Sequence, residues 1–190
     1  MSLSHAFYNG IGSEADAARL TEEHLAHRLP RRWNHTQGVA RTARMLADTA
    51  PLNDTERTLL KVSAWYHDIG YAHPHAYNWH PLDGALLLRT WELDTVADLV
   101  AWHTTAAEEA PLLGHDTNLA GWTQPTGLLP DLLTYADMTT SPDGEHVTFE
   151  QRRDEIRQRH GATSTPTIAM DTAWTRLLAI RDRVAPYDNR

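Results

Sequence analysis

The fold of this chain is constrained most strongly by a helical repeat of apolar residues that runs along almost its whole length. Apolar side chains recur at intervals of three and four residues, which is the spacing of one face of an α-helix. No segment shows the alternation of apolar and polar residues, rich in β-branched and aromatic side chains, that is typical of a strand. The sequence therefore predicts an all-α protein built as a helical bundle.

Capping residues and prolines mark where the predicted helices begin. Ser13 is a favourable N-cap, and Thr148 with Gln151 has the spacing of a capping box. Pro81 and Pro166 stand where the first turn of a helix accommodates proline. We predict helices over about residues 13–29, 31–47, 53–70, 148–160 and 165–184, and three more near 81–88, 96–100 and 128–136. The stretches 70–80 and 110–127, rich in Gly, Pro and His, are predicted to be loops.

The length of 190 residues suits one domain. We predict a single domain over residues 1–190, with residues 148–186 forming a C-terminal helical extension packed on the rest. The charged stretch 150–159 is predicted to be a solvated helix face, because charges of both signs alternate along it.

Composition excludes several classes of protein. The chain contains no cysteine, which excludes disulfide scaffolds, thiolate zinc sites, iron–sulfur clusters and a cysteine nucleophile. Its formal charge of −8 argues against a protein that binds a nucleic acid backbone. No apolar run approaches the roughly 20 residues of a membrane span, and the N-terminus lacks the basic and apolar regions of a signal peptide. We therefore expect a cytoplasmic protein with no membrane partner.

Four side chains able to bind a metal lie on the apolar faces of predicted helices. His35, for instance, shares its face with Val39 and Leu46. The four are His35, His67, His103 and Asp137. Buried carboxylates and imidazoles need hydrogen bonds or a metal. Four helices that each point one such group inward could satisfy one another around a cation. Taken singly, each residue could instead be a hydrogen-bonded core residue.

Two further residues extend this set. Asp68 follows His67 and approaches the same region from another angle, since neighbours on a helix point about 100° apart. His80 lies just before Pro81 at the start of a predicted helix. The six candidate metal ligands are His35, His67, Asp68, His80, His103 and Asp137. Six nitrogen and oxygen ligands suit two ions that share a carboxylate. Without sulfur they favour Mn, Fe, Co, Ni or Zn, as one or two divalent ions per chain.

Three residues near this set are candidates for substrate binding. Arg32 precedes His35 by one helical turn and offers a bidentate fork for phosphate, or it belongs to a solvated helix start. Lys61 lies two turns before Asp68 on a similar face, with a surface role as the alternative. Tyr71 belongs to an aromatic loop that could form a lid or stack on a base, or could pack on itself. The histidines outside that loop and outside the six are predicted to be surface residues: His5, His24, His27, His115, His146 and His160.

The segment 64–70 (AWYHDIG) resembles the signature of the HD-domain metal-dependent phosphohydrolase superfamily. That superfamily is defined by an upstream His, a His-Asp pair and a downstream Asp, which resemble His35, His67-Asp68 and Asp137. The segments 80–84 (HPLDG) and 100–103 (VAWH) resemble the parts that carry two extra histidines in its binuclear branch. The resemblance covers about residues 31–141.

The resemblance implies an HD-domain helical bundle with a binuclear metal site. One ion would lie among the residues of the signature, and Asp68 would bridge to a second ion held by His80 and His103. The implied activity is hydrolysis of a phosphoester of a small metabolite, such as a nucleotide, by a metal-activated water, with Asp68 and His67 as catalytic residues. The expected partner is a small phosphorylated metabolite, and a homo-oligomer is compatible with the sequence.

The chain departs from several branches of that superfamily. Tyr71 stands where many relatives have Lys, so a cation near a bound phosphate is missing at that position. The Glu-Asp pair of the alarmone hydrolases is absent after Asp68. Thr104 follows His103 where the cyclic-dinucleotide phosphodiesterases have a Gly-Tyr-Pro element. Neither of those two substrates is implied by this chain.

Two alternative functions stay open. The first is a di-iron oxygenase on the same scaffold, which acts on a small organic substrate. One such branch has a lid with Tyr and Glu three residues apart, whereas Tyr8 is followed at that spacing by Ile11. The second is a non-catalytic ligand-binding module, against which the complete set of ligands argues.

Overall fold

The computed structural model describes residues 12–73 and 76–190 of the chain. Within these ranges it contains ten α-helices, two short 3-10 helices and no β-strand, which confirms the all-α prediction. The α-helices are α1 Glu14–Leu25, α2 Pro30–Thr49, α3 Asp54–Tyr66, α4 His80–Thr90, α5 Asp94–Ala101, α6 Ala106–Leu113, α7 Asp116–Leu119, α8 Leu128–Met138, α9 Phe149–His160 and α10 Thr165–Val184. The 3-10 helices are Ile69–Ala72 and Ala185–Tyr187.

The predicted helix starts coincide with capping contacts. The Ser13 hydroxyl accepts a hydrogen bond from the Asp16 backbone N–H at the start of α1. Thr148 and Gln151 form the predicted capping box before α9. A capping box also opens α3, where Asn53 is the N-cap. Each cap satisfies backbone N–H groups that the first turn of a helix leaves free, which is why these starts could be located from the sequence.

Two predicted helix ends are wrong by about one turn. α1 ends at Leu25 and not near residue 29, and α3 ends at Tyr66 and not near residue 70. After α3 the backbone leaves the helical region at Asp68, with φ −106° and ψ 6°, and continues as the 3-10 helix Ile69–Ala72. The early end of α3 changes the direction in which Asp68 points.

The stretch 110–127 is not a continuous loop, as the sequence suggested. α6 and α7 occupy its first part, and Gly114 ends α6 with a positive φ of 74°. Pro111 lies inside α6. Proline and glycine are the strongest loop signals in a sequence, but here α6 tolerates Pro111 in its interior and Gly114 serves as its C-cap.

α3 lies at the centre of the described fold. It packs against α1, α2, α5 and α8, and its Leu60 and Val62 are fully buried. α4 packs against α5 and against the 3-10 helix Ile69–Ala72. α10 packs against α6, α8 and α9. The C-terminal helices therefore lie against the same bundle that carries the predicted ligands.

No helix in the described ranges is both long and apolar enough to cross a membrane. The two longest, α2 and α10, have 20 residues each and carry charged side chains along their length.

Candidate metal centre

The six predicted ligands converge from five places in the chain. His35 lies in the second turn of α2, and His67 and Asp68 follow the end of α3. His80 begins α4, His103 follows α5, and Asp137 lies in the last turn of α8. Five of them are at most 8 % exposed, and His80 is half-buried. The helices thus bring together all six side chains, which lie far apart in the sequence.

The first group of ligand atoms is formed by His35, His67 and one oxygen of Asp68. The two Nε2 atoms of His35 and His67 lie 3.4 Å apart. Asp68 Oδ2 lies 3.2 Å from His67 Nε2 and 3.7 Å from His35 Nε2. Asp137 approaches this group through its Oδ1, 3.0 Å from His35 Nε2.

The second group contains the other oxygen of Asp68. Asp68 Oδ1 lies 3.5 Å from His80 Nε2, which is 3.3 Å from His103 Nε2. In each group the three candidate ligand atoms lie within 4.8 Å of one another. The carboxylate of Asp68 therefore faces both groups, one oxygen to each.

The hydrogen bonds of the imidazole rings show that this donor set fits metal cations. Nδ1 of His67 donates to the Ala64 carbonyl at 2.8 Å, and Nδ1 of His103 donates to the Val100 carbonyl at 2.6 Å. Since a carbonyl can only accept, the proton of each neutral ring lies on Nδ1. Each Nε2 then presents a bare lone pair to the site, as in histidines that bind a metal.

The ring of His35 lies between two hydrogen-bond acceptors that it cannot both satisfy with one proton. Its Nδ1 lies 3.0 Å from the Ser141 carbonyl, and its Nε2 lies 3.0 Å from Asp137 Oδ1, so both nitrogens face acceptors. A neutral imidazole has one proton to donate. Burial lowers the pKa of His35, in spite of the hydrogen bond to Asp137, so a second proton is disfavoured. A cation between His35 Nε2 and Asp137 would remove this conflict.

The order and spacing of these residues match a known family. The family model described as HD domain matches residues 32–141, a span that contains all six side chains. The chain belongs to the HD-domain family. HD domains bind divalent metals and form a superfamily of metal-dependent hydrolases. No curated protein and no solved structure matches the chain.

Charges around the HD-domain site keep its two aspartates ionised. Burial acts to raise the pKa of Asp68, but the Arg32 guanidinium and His67 hold it well below its usual range. Burial likewise opposes ionisation of Asp137, but the hydrogen bond with His35 and the charges of His35, His67 and Arg152 together lower the pKa of Asp137. Burial lowers the pKa of His80 and that of His103, which favours their neutral, metal-binding forms.

His67 is the exception, and it predicts that metal binding releases a proton. Burial acts to lower the pKa of His67, but Asp68 outweighs it and raises that pKa above its ordinary value of 6.5. Without metal, His67 therefore stays protonated up to a higher pH than an ordinary histidine. A metal needs the neutral ring, so metal affinity should rise with pH until the raised pKa is passed and then level off.

Calorimetry of the metal-stripped protein at pH 6.5, where a histidine with a raised pKa is mainly protonated, can measure this release. Zn²⁺ titrations in buffers of different ionisation enthalpy should show release of up to about one proton per chain from this residue. The variant His67→Gln should lose this dependence on the buffer. A wild-type binding enthalpy that is the same in every buffer would contradict the prediction.

A cavity of about 410 Å³ opens onto the site. Asp68, His80, His103 and Asp137 line it on the HD-domain side. Several further lining residues lie in α9 and α10, outside the matched span: Arg152, Ile156, Arg159, His160, Thr165, Pro166 and Met170. The predicted solvated face of α9 is therefore wrong in part, because Arg152 is only 6 % exposed and lines this cavity. Its burial depends on how α9 packs, which the alternating charges do not reveal.

Arg32 and Tyr71 lie at the site, as predicted. Arg32 Nη1 donates to Asp68 Oδ2 at 2.7 Å, so this guanidinium positions the shared carboxylate. Tyr71 is held by two neighbours, since the Arg32 guanidinium and the His80 ring each lie 4.1 Å from its ring centroid. These contacts support an aromatic packed within its own site over one that is free to stack on a base.

Lys61 does not reach the cavity. Its Nζ lies 3.6 Å from Asp48 Oδ1, and it lines neither cavity among the described residues. The prediction that Lys61 binds substrate depends on a helix that continues from Lys61 to Asp68. Because α3 ends at Tyr66, the face shared with Lys61 does not extend that far.

The other histidines divide into two kinds. His24 and His115 are half-buried, so the prediction of a surface position holds for them only in part. His24 Nδ1 lies 2.9 Å from His73 Nε2, and the His115 ring stacks on Trp79 at 5.6 Å. The exposed ones are His27, His146 and His160. His5, His75 and the Tyr8–Ile11 pair used to judge the oxygenase lid lie outside the described residues.

Thr104 is a site residue that the sequence did not single out. Its hydroxyl donates to Asp137 Oδ2 at 2.5 Å. Its φ of 52° lies in the left-handed region, which is strained for a β-branched residue. Arg176 of α10 donates to the Thr104 carbonyl at 2.8 Å and holds this backbone. This backbone conformation places the hydroxyl against Asp137, where we expect it to orient the carboxylate.

Substitution of Thr104 by alanine is expected to weaken metal binding by about 10- to 100-fold, the usual effect of losing a contact that orients a ligand. Thr104→Ser keeps the hydroxyl and should bind metal as the wild type does. Competition with a chromophoric chelator measures both affinities. Equal loss of affinity in the two variants would assign the effect to the backbone and not to the hydroxyl.

Proposed function

We propose that this HD-domain protein is a phosphohydrolase that acts on a small phosphorylated metabolite, with nucleotides among the candidates. The observation that carries the proposal is the position of Asp68. Its two oxygens face two separate pairs of histidine Nε2 atoms, at 3.2 and 3.7 Å on one side and 3.5 Å to His80 on the other. A carboxylate shared in this way suits two cations held side by side.

The residues present would divide the binding of two ions between them. His35, His67 and Asp137 would hold one ion, His80 and His103 the other, and Asp68 would belong to both. When bound, a pair of divalent ions lowers the pKa of a water molecule and neutralises charge on phosphoryl oxygens. Arg32 would fix the orientation of Asp68 through its 2.7 Å hydrogen bond.

The cavity supports a substrate of small-molecule size. Its volume of about 410 Å³ lies within the range of about 300–1,000 Å³ typical of ligand pockets. Leu113, Ile156 and Met170 provide an apolar part of the wall, whereas Asp68, His80 and His103 form the polar end. A phosphorylated molecule with an apolar or planar part matches both ends.

The proposal is tested by measuring phosphate release. The protein is stripped of metal, loaded separately with Mn²⁺, Zn²⁺ or Fe²⁺, and incubated with a panel of phosphomonoesters, phosphodiesters and nucleotides. We expect release from at least one substrate that depends on the added metal. Bound metal is measured in the same samples, so that a protein that releases no phosphate is known to contain metal.

The oxygenase alternative gives a different result in the same samples. Loaded protein that releases no phosphate from any substrate would contradict the proposal. Oxygen consumption by the iron-loaded protein with an organic substrate would then favour the oxygenase. Full activity with Zn²⁺, which has no redox chemistry, would exclude the oxygenase.

A further inference from the structure

We infer that α9 supplies an anion-binding subsite beside the metal centre, formed by Arg152 and Arg159 together with Arg32, and that the substrate carries a second anionic group besides the one hydrolysed. The second half of this inference rests on the proposed phosphohydrolase function. The subsite itself rests on residues of α9, which lie outside the span that matches the HD domain.

Arg152 is a buried cation with an unused donor. It is 6 % exposed and lines the cavity. Its Nη1 donates to Glu155 at 2.6 Å, while its Nη2 lies 3.9 Å from Asp137 Oδ1, too far for a hydrogen bond. Its buried Nε has no hydrogen-bond partner in the described part of the chain. A buried guanidinium N–H without an acceptor is costly, so an anion in the cavity would stabilise it.

Arg152 and Arg159 together form a cationic wall of the cavity. Arg159 lies seven residues after Arg152, which is two helical turns and therefore the same face of α9. Burial lowers the pKa of Arg159, and the nearby charges of Arg152 and Arg32 lower it further against the opposing effect of Glu155. Arg159 therefore lies within the electrostatic field of both Arg152 and Arg32, and it lines the same cavity as they do.

A second cavity continues from this wall. It has a volume of about 330 Å³ and shares Arg32, Tyr71 and Arg159 with the first. Arg28 and Arg31 also line it, and none of its lining residues in the described ranges is an aspartate or a glutamate. Arg31 is paired with Asp143 at 3.0 Å in an exposed ion pair. Although the chain has a net charge of −8, the described side chains that line this second cavity carry charge only on arginine.

The negative charges of the first cavity do not cancel this wall. The carboxylate of Asp83 is already satisfied, because its oxygens accept hydrogen bonds from the backbone N–H groups of Ala76, Tyr77 and Trp79. Glu109 accepts from the Trp79 indole at 2.8 Å and from the Thr105 hydroxyl at 3.0 Å. Asp68 and Asp137 are the proposed metal ligands. Glu155 is the counter-ion of both arginines, 2.6 Å from Arg152 Nη1 and 3.4 Å from Arg159 Nε. One carboxylate therefore stands against two guanidinium groups, and an anionic ligand would balance the remaining charge.

The chemistry of this wall defines the class of substrate. Arginine recognises phosphate and carboxylate through two parallel hydrogen bonds. A substrate with one phosphoryl group at the metal centre and a second phosphate or a carboxylate beyond it would satisfy both sites. Diphosphates and bisphosphates of small metabolites have this pattern, whereas a simple phosphomonoester does not.

Calorimetry on the metal-stripped protein tests the subsite without any need for turnover. The probe is inorganic pyrophosphate, and the variant is Arg159→Gln, which touches no proposed metal ligand. We expect wild-type protein to bind pyrophosphate and Arg159→Gln to bind it about tenfold more weakly, the effect of one charge-assisted hydrogen bond. Arg157→Gln is the matched control, because Arg157 lies on the same helix but pairs with Asp171 away from either cavity.

Two results would overturn the subsite: no pyrophosphate binding by the wild type, or an equal loss of affinity in Arg157→Gln and Arg159→Gln. If the loaded enzyme hydrolyses phosphoesters, Arg159→Gln should raise the KM of a bisphosphate substrate about tenfold and leave that of a phosphomonoester unchanged. Equal effects on the two substrates would contradict the second anionic group. Absence of hydrolysis would contradict the proposed function alone, because calorimetry reports on the subsite separately.

Discussion

Asp68→Asn is expected to lower metal-dependent hydrolysis by at least about 10³-fold and to reduce bound metal from two ions per chain to one or none. The carboxylate of Asp68 faces both groups of histidines, so its replacement removes one ligand from each. Stabilisation of transition-state charge by bound metal amounts to several kcal/mol, and each 1.36 kcal/mol is a factor of ten in rate. Asparagine has nearly the same shape as aspartate, so the loss should come from charge and not from packing.

The measurements for this variant are metal content by elemental analysis and phosphate release under saturating metal. Asp83→Asn is a matched control, since Asp83 is also a buried aspartate that lines the cavity but caps a loop and faces no histidine pair. It should keep both ions while losing some stability. Two ions in Asp68→Asn, with activity close to wild type, would contradict the shared-carboxylate arrangement.

The helical period predicted four of the six candidate ligands, because a polar side chain on the apolar face of a helix must point into the bundle. His35 and Asp137 lie 102 residues apart, yet each occupies the inward face of its own helix, and their side chains meet at 3.0 Å. The same rule located Arg32. It needs only that the helix continue through the residues compared, and that condition holds in α2 and α8.

Beyond the end of a helix the rule is unreliable: His103 follows α5 by two residues and still joins the site, whereas Lys61 does not share a face with Asp68. Lys61 was placed near Asp68 on the assumption of one continuous helix, but α3 ends at Tyr66. The contribution of α9 could not be predicted for a different reason. Arg152 and Arg159 line the cavity because α9 packs there, and their own sequence, with charges of both signs, equally suits a solvated face. Local periodicity locates a residue on its helix, whereas the position of the helix is a tertiary property.

Gly70→Ala is expected to destabilise the fold by about 3 kcal/mol or more and to empty the second metal position. A Cβ at residue 70 would lie 2.0 Å from the His80 carbonyl oxygen and 2.6 Å from the Gly84 nitrogen. Both are backbone atoms and cannot rotate away, so the start of α4 must move. His80 begins α4 and would move with it, away from Asp68 and His103.

A glycine just after a helix often permits a tight exit of the backbone, and Gly70 follows the end of α3 by four residues, but that role would require a positive φ. Gly70 has no positive φ, so its need for glycine comes from the close approach of α4 and not from backbone conformation. Gly84, on the opposite side of the same contact, is the matched control. A Cβ there would lie 3.1 Å from the Gly70 nitrogen, and the better helix propensity of alanine, about 1 kcal/mol, offsets the contact.

Thermal unfolding and metal content distinguish these two glycine variants. For a chain of this size, about 3 kcal/mol corresponds to a fall in Tm of roughly 6–12 °C, which Gly70→Ala should show and Gly84→Ala should not. A folded Gly70→Ala protein should retain the ion held by His35, His67 and Asp137 and lose the ion held by His80 and His103. If Gly70→Ala instead melts near the wild-type temperature and holds two ions, the contact between residue 70 and the first turn of α4 does not position His80. Another contact would then have to hold His80 close to Asp68.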